Sequence, residues 1–215
     1  MILHSAETES MLVTTRQKHQ LRPLHLNLSL NDNCIEQVHE HRHLGFIIDD
    51  EFSWRPHIIV TCKTVSKILY QLSQLKHFVD TPKRKLFYHA HISSHLTYAS
   101  TVWDGCSDIL FNILNSLHRR AAKLMISDSS LWTDTKLRYL GILPLKEKLM
   151  FNKAVLVFKA YKNLVPPYLK QLFICSNVHA TSRYITLPKP RIDLFKTSFS
   201  FSGASLWNTI PNKIK

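Results

Sequence analysis

Leu24, Leu26, Leu28 and Leu30 alternate with polar residues up to the turn-forming set Asn31, Asp32 and Asn33, and apolar positions resume at Ile35 and Val38. A period of two sends successive side chains to opposite faces of a strand, so this stretch predicts a β-hairpin. A further strand is predicted over residues 44–48, and an earlier one over residues 11–13. Beyond Trp54 the apolar period lengthens to between three and four, which predicts helices.

The first helix is expected to start near Ser53. Its seam is Ile58, Cys62, Val65, Leu69 and Leu72, with Lys63 and Lys67 one turn apart and away from the seam's centre. Thr81-Pro82 suits the start of a second helix running towards Trp103 and stopping before Gly105. Ser107 is placed to cap a third. In it Leu110, Ile113, Leu114, Leu117, Ala121 and Leu124 fall on one side, and Asn112, Ser116, Arg119 and Lys123 on the other. A fourth, short helix ends at Gly141. A fifth is predicted from Pro144 to about Asn163, burying Leu145, Leu149, Phe151, Val155 and Phe158 until Pro166-Pro167 breaks it. From Ser182 onward the chain is Pro-punctuated and Ser-rich, which predicts irregular structure. Phe195, Phe199, Phe201, Leu206 and Trp207 nevertheless predict a tail packed on the body. The fold class expected is mainly α (α+β), with an N-terminal β-hairpin, a helical bundle and that irregular tail. There is no internal repeat or low-complexity tract.

The 215 residues are 45% hydrophobic, enough for a sizeable core. Only four glycines occur, at 45, 105, 141 and 203, too scattered to cradle a phosphate, so a nucleotide-binding fold is not expected. Cys34, Cys62, Cys106 and Cys175 form no C-x-x-C pair and no secretory leader is recognisable, which predicts reduced thiols in a cytoplasmic or nuclear, not secreted, protein. No apolar run approaches the ~18 residues that would cross a bilayer, and no membrane partner is expected.

Charge changes the picture most. The chain carries 28 Lys and Arg against 15 Asp and Glu, a net +13, and the excess is unevenly placed. Residues 1–60 hold 5 basic and 8 acidic side chains, or −3, and residues 61–215 hold 23 and 7, or +16. A polyanion is the natural partner of such a segment.

Thirteen histidines raise the possibility of a metal, and His39, His41 and His43 alternate along one predicted strand. Neither Cys nor carboxylates accompany them at ligand spacing, and the His91–His95 pair lacks the Glu of a zinc-protease helix, so no metal site is expected. Asp49-Asp50 follows Phe46-Ile47-Ile48 and so mimics the hairpin carboxylates of two-metal polymerases. A solvated turn capping the next helix with Asp49, Asp50, Glu51 and Ser53 is the reading preferred. No catalytic nucleophile can be assigned from spacing, and neither a catalytic residue nor a small-molecule ligand is expected.

The segment 'HLGFIIDDEFSWRPHI' resembles the L-G-x-x-(I/L)-D-x-x-(F/L)-x-W-x-x-H-(I) stretch beyond the catalytic core of reverse transcriptases of non-LTR retrotransposons, notably the jockey-like branch. 'HISSHLTYASTVWDG', 'LNSLHRRAAKLM', 'LGILPLKEKLMF', 'VFKAYKNLVPPYL' and 'LPKPRIDLFKTSFSFSGASLWNTIP' resemble further segments in the family's order. Upstream, 'SAETESMLV' is similar to the family's S-K-T-E-x-M-L, with Ala6 where the family has lysine.

The resemblance implies an end-of-palm remnant with the primer-grip hairpin over 1–52, a helical thumb-like region over 53–165 and a C-terminal extension over 166–215. It places the primer-grip region at His43, Leu44 and Gly45. The catalytic F-A-D-D pair, the earlier aspartate and the fingers are expected upstream of Met1, and no endonuclease is expected in the chain, so the isolated chain is expected to be an inactive polymerase fragment. Mg²⁺ would belong only to the intact parent enzyme. What remains is sequence-nonspecific binding of RNA or an RNA–DNA hybrid, with Lys63, Lys67, Arg119, Arg120, Lys123, Arg191 and Lys196 as phosphate-contacting candidates. A host-adopted helical protein-interaction module is the alternative, and a metal-dependent nuclease using the His-rich segment a third.

Overall fold

A computed structural model of the chain describes residues 8–14, 18, 26–30, 33–128, 130–174, 184–211 and 213. About 57% of the chain is helical and every strand is short, so the protein is mainly α with a small β part. It folds into two compact units, Met1–Lys63 and Thr64–Lys215.

Among the described residues the first unit holds three two-stranded ladders. β1 (Glu9–Ser10) runs parallel to β4 (Glu36–Gln37), and β2 (Ser29–Leu30) pairs antiparallel with β3 (Asn33–Cys34). The predicted hairpin is thus present at its centre, while Leu24, Asn31 and Asp32 lie outside the described residues. The strand expected over 11–13 begins two residues earlier, and Met11–Val13 carries no ladder bonds. β5 (Glu40–His43) and β6 (Phe46–Asp49) form the longest hairpin, with His43 opposite Phe46. Leu44, predicted as strand, is in the turn. A two-residue loop matched to strand twist needs positive φ at both positions, and Leu44 and Gly45 have φ of 45° and 89°.

α1 (Arg55–Leu75) begins after a tight turn in which Phe52 and Trp54 both adopt positive φ. Its predicted seam is correct: Ile58, Val65, Leu69 and Leu72 are buried and Cys62 half-buried.

In the second unit the helix predicted from Thr81 to Trp103 is broken into four pieces: α2 (Thr81–Phe87), a π-helical turn (Tyr88–Ser93), α3 (Ser94–Thr97) and α4 (Ser100–Trp103). Asp80 rather than Thr81 caps α2, its Oδ1 accepting the Lys83 N–H at 3.2 Å. Ala99 turns left-handed at φ 48°, and the Trp103 indole N–H donates to the Tyr98 carbonyl at 2.8 Å, satisfying a group the break exposes.

α5 (Asp108–Met125) buries Leu114, Leu117, His118, Ala121, Ala122 and Met125. The predicted face is therefore rotated: Ile113 is 45% exposed, and Leu110 and Leu124 are half-buried. A hydrophobic count gives His118 no weight, which moves the inferred centre towards Ile113. Ser107 stands at the N-cap without a side-chain cap bond.

α6 (Thr133–Tyr139) ends as predicted at Gly141, whose φ of +62° permits the Gly141 N–H to reach the Arg138 carbonyl and the Ile142 N–H the Leu137 carbonyl. α7 (Leu145–Tyr161) ends the same way at Asn163 (φ 60°), before Pro166-Pro167. Those prolines instead open α8 (Pro167–Lys170). Phe151 and Phe158, expected in the core, are exposed, with Lys148 Nζ 5.6 Å and Lys162 Nζ 5.7 Å from their respective ring centres.

The tail expected to be irregular forms α9 (Asp193–Thr197) and α10 (Phe199–Thr209). Its prolines, 188, 190 and 211, bracket these helices instead of interrupting them. It packs on the body: Val157, Ala160, Phe173, Ile185, Ala204 and Trp207 share one buried cluster. A Cβ on Gly203 would sit 3.0 Å from Val157 Cγ2, so glycine lets α10 approach α7.

Elsewhere in the interior, buried Tyr88 Oη lies 2.9 Å from His118 Nδ1. Burial drives the His118 pKa down to about 4, against a smaller opposing effect of the Leu143 backbone, and raises that of Tyr88 to about 12. His118 is therefore neutral when folded but titrates at its ordinary ~6.5 when unfolded. The unfolded state binds the extra proton between these values, so stability is full above about pH 6.5 and falls as pH drops towards 4, by roughly 3 kcal/mol. Urea melts of His118→Gln should lose most of this slope relative to wild type; an unchanged slope would assign it to other groups.

Candidate nucleic-acid interface

α5 sets the geometry of the predicted basic ridge. Residues three and four apart share a helix face, which puts Arg119 and Lys123 together and Arg120 on the flank. All three keep solvent contact: Arg120 and Lys123 are exposed and Arg119 half-exposed. They are not equivalent. Arg119 donates to Asp134 Oδ1 at 2.9 Å, which neutralises it locally, whereas Arg120 and Lys123 have no ion-pair partner among the described residues.

The other candidates are dispersed. Lys63 and Lys67 are exposed on α1. Arg191 is exposed, and Lys196 is held by Asp193 Oδ1 at 2.7 Å within α9. His43, Leu44 and Gly45 form the exposed tip of the β5–β6 hairpin, where Leu44 is 74% exposed.

The acidic pair is structural in its contacts. Asp49 is buried, not solvated, and ends β6: its Oδ2 accepts the Ser53 N–H at 2.9 Å and its Oδ1 the Trp54 N–H at 2.8 Å. It locks the turn before α1. Asp50 Oδ2 lies 2.7 Å from His39 Nδ1. The three alternating histidines have different polar contacts, His41 Nδ1 meeting Glu9 Oε2 at 2.8 Å and the His43 ring standing edge-on to Phe46, with the His41 and His43 ring centres 6.4 Å apart. Among the described residues no group of three or more His, Cys, Asp or Glu is arranged to hold a metal ion. Cys34, Cys62 and Cys106 are free thiols, and burial raises the Cys106 pKa to about 11; Cys175 and Ala6 lie outside the described residues.

Sequence reasoning missed the loop between α5 and α6. There Arg84 donates to the Leu124 carbonyl at 3.3 Å and Lys136 Nζ to the Ile126 carbonyl at 3.1 Å, so two cations satisfy the C-terminal end of α5. A cleft of about 630 Å³ opens beside them, with Lys123 and Trp132 on its wall. The available signal was an isolated tryptophan closing the polar run after Ile126. Among the described residues no helix is long and apolar enough to cross a membrane.

Comparison of the chain with models of protein families, with curated proteins and with solved structures finds no match to any of them.

Proposed function

We propose that the chain is the thumb-like part of a non-LTR retrotransposon reverse transcriptase and that it binds template–primer nucleic acid without sequence preference, with no polymerase chemistry of its own. The observation that carries this reading is electrostatic. Residues 64–215 hold 22 basic and 7 acidic side chains, or +15. Four of those seven carboxylates, on Asp80, Asp104, Asp134 and Asp193, are already paired with a lysine or arginine. Exposed cations on helical surfaces suit phosphate, which rewards charge and imposes no base preference. The contacts of Asp49 and Asp50 support a structural role for that pair, and His43, Leu44 and Gly45, which the resemblance assigns to the primer grip, are exposed.

A fluorescent RNA–DNA hybrid titrated with the full chain at three salt concentrations tests the reading. Affinity should fall log-linearly with salt, with a slope of about 0.9 per phosphate contact. Replacing Arg120 and Lys123 together by Gln should flatten that slope by up to ~2 contacts while leaving stability within ~0.5 kcal/mol per site. Arg119→Gln should change it less, because Asp134 already holds that guanidinium. A flat salt response in the wild-type chain sinks the proposal.

A second reading, a helical module that docks a protein partner, is favoured by one observation: Phe78, Leu86, Ile109 and Tyr139 are each at least 70% exposed. Binding of that kind would be apolar and nearly independent of salt.

A further inference from the structure

The cleft between the end of α5 and the start of α6 has the chemistry of a nucleotide site. Three of the four tryptophans are buried, Trp54, Trp103 and Trp207 being 9%, 1% and 2% exposed, whereas Trp132 is 83% exposed. It borders a cleft of about 630 Å³, within the range that takes small organic ligands. The remaining wall is Lys123, Ser127, Ser130, Leu131, Thr133 and Lys136. A flat π face beside cations and hydroxyls suits a heterocyclic base joined to a phosphate better than it suits a lipid or a purely apolar ligand.

The cations divide their work. Lys136 is 5% exposed and gives one of its three protons to the Ile126 carbonyl, which fixes its ammonium at the cleft. Lys123 is exposed and without an ion-pair partner among the described residues, free to meet a phosphate. The carboxylate close by, Asp128, is engaged by the Ser130 hydroxyl at 2.6 Å and the Ser130 N–H at 2.8 Å. Arg84 adds positive charge at the same helix end, reaching Ser127 Oγ at 3.5 Å.

We infer that this cleft takes one unpaired nucleotide of a single-stranded segment, its base stacked on Trp132 and its phosphate held by Lys123. The inference rests on the nucleic-acid reading above and deepens it: a duplex is held by phosphate contacts alone, whereas an overhang gains a stacking contact that every base can make. Stacking of this kind tolerates any sequence, in keeping with nonspecific binding.

Hybrids with and without a single-stranded overhang separate the two claims. Trp132→Ala should weaken binding of the overhang hybrid about tenfold to a hundredfold and leave the blunt hybrid, its salt slope and the urea midpoint unchanged, since the side chain is exposed. Trp132→Phe should retain most of the affinity. Oligo-uridine should quench the wild-type indole fluorescence, and the quench should vanish in Trp132→Ala. Uridine monophosphate at equal nucleotide concentration should quench far less, because it lacks the neighbouring phosphates that hold a strand in place. Equal binding of the overhang hybrid by wild type and Trp132→Ala overturns the site while leaving the duplex reading intact. Quenching by the monophosphate as strong as by the strand overturns the assignment to a strand. Failure of wild type to bind either hybrid removes the nucleic-acid reading, and this inference with it.

Discussion

Asp104→Ala is expected to cost about 3–5 kcal/mol of folding stability, although the residue lies in a turn of polar sequence. Its carboxylate Oδ2 is 2.7 Å from Lys153 Nζ, and the two side chains are only 8% and 12% exposed. Lys153 also donates to Ser202 Oγ at 3.0 Å, so one ammonium on α7 links the turn after α4 to α10. Alanine at 104 would leave that ammonium buried with a single hydroxyl partner. The same balance predicts a different result when both charges go. Burial raises the Asp104 pKa more than the nearby Lys153 lowers it, so desolvation outweighs attraction. Asp104→Leu combined with Lys153→Met should therefore recover most of the loss and match or exceed wild type. Urea midpoints of the wild type, the two single variants and the pair decide it. If Asp104→Ala melts within 1 kcal/mol of wild type, the pair is hydrated in solution and the link is not structural.

That pair also shows where a sequence stops being readable. Asp104 and Lys153 are far apart along the chain, and nothing in a periodic pattern ties a turn aspartate to one lysine among many on distant helices. Patterns succeeded where one local force acts alone: the α1 seam, the Gly141 stop and the mainly α class follow from apolar spacing or from a backbone angle only glycine adopts cheaply. They failed where tertiary packing competes with local preference. His118 counts as polar, yet Tyr88 partners it in the core, and this turned the α5 face away from Ile113. Phe151 and Phe158 count as core, yet lysines cover their rings at the surface. The candidate interface was legible as charge and as a helix face. Which cations stay available was not, because Arg119 and Lys196 lose their freedom to Asp134 and Asp193 through geometry. The Trp132 cleft escaped altogether, since its wall joins two helices and a loop.

Trp207→Ala should cost about 3–5 kcal/mol, the loss expected when a fully enclosed indole is cut to a methyl group. Trp207 is 2% exposed, with its ring centre 5.5 Å from that of Tyr161 and 6.4 Å from that of Phe158. It anchors α10 on α7, while Asn208 clamps the preceding segment by accepting the Ile185 N–H at 3.0 Å and donating to the Ile185 carbonyl at 2.9 Å. Because Val157 and Ala160 belong to the same cluster, the tail and the central helix should unfold together. Urea melts followed by far-UV circular dichroism should show one transition in wild type and in Trp207→Ala, with the midpoint lowered and the denaturant dependence unchanged. A second substitution approaches the same interface from the opposite side: Gly203→Val adds atoms where a Cβ alone would already be 3.0 Å from Val157 Cγ2 and 3.3 Å from Phe173 Cζ, and overpacking of this kind costs about 1–3 kcal/mol. A shallower denaturant dependence in both variants, with the midpoint unmoved, would mean that the tail detaches on its own while the other helices stay folded.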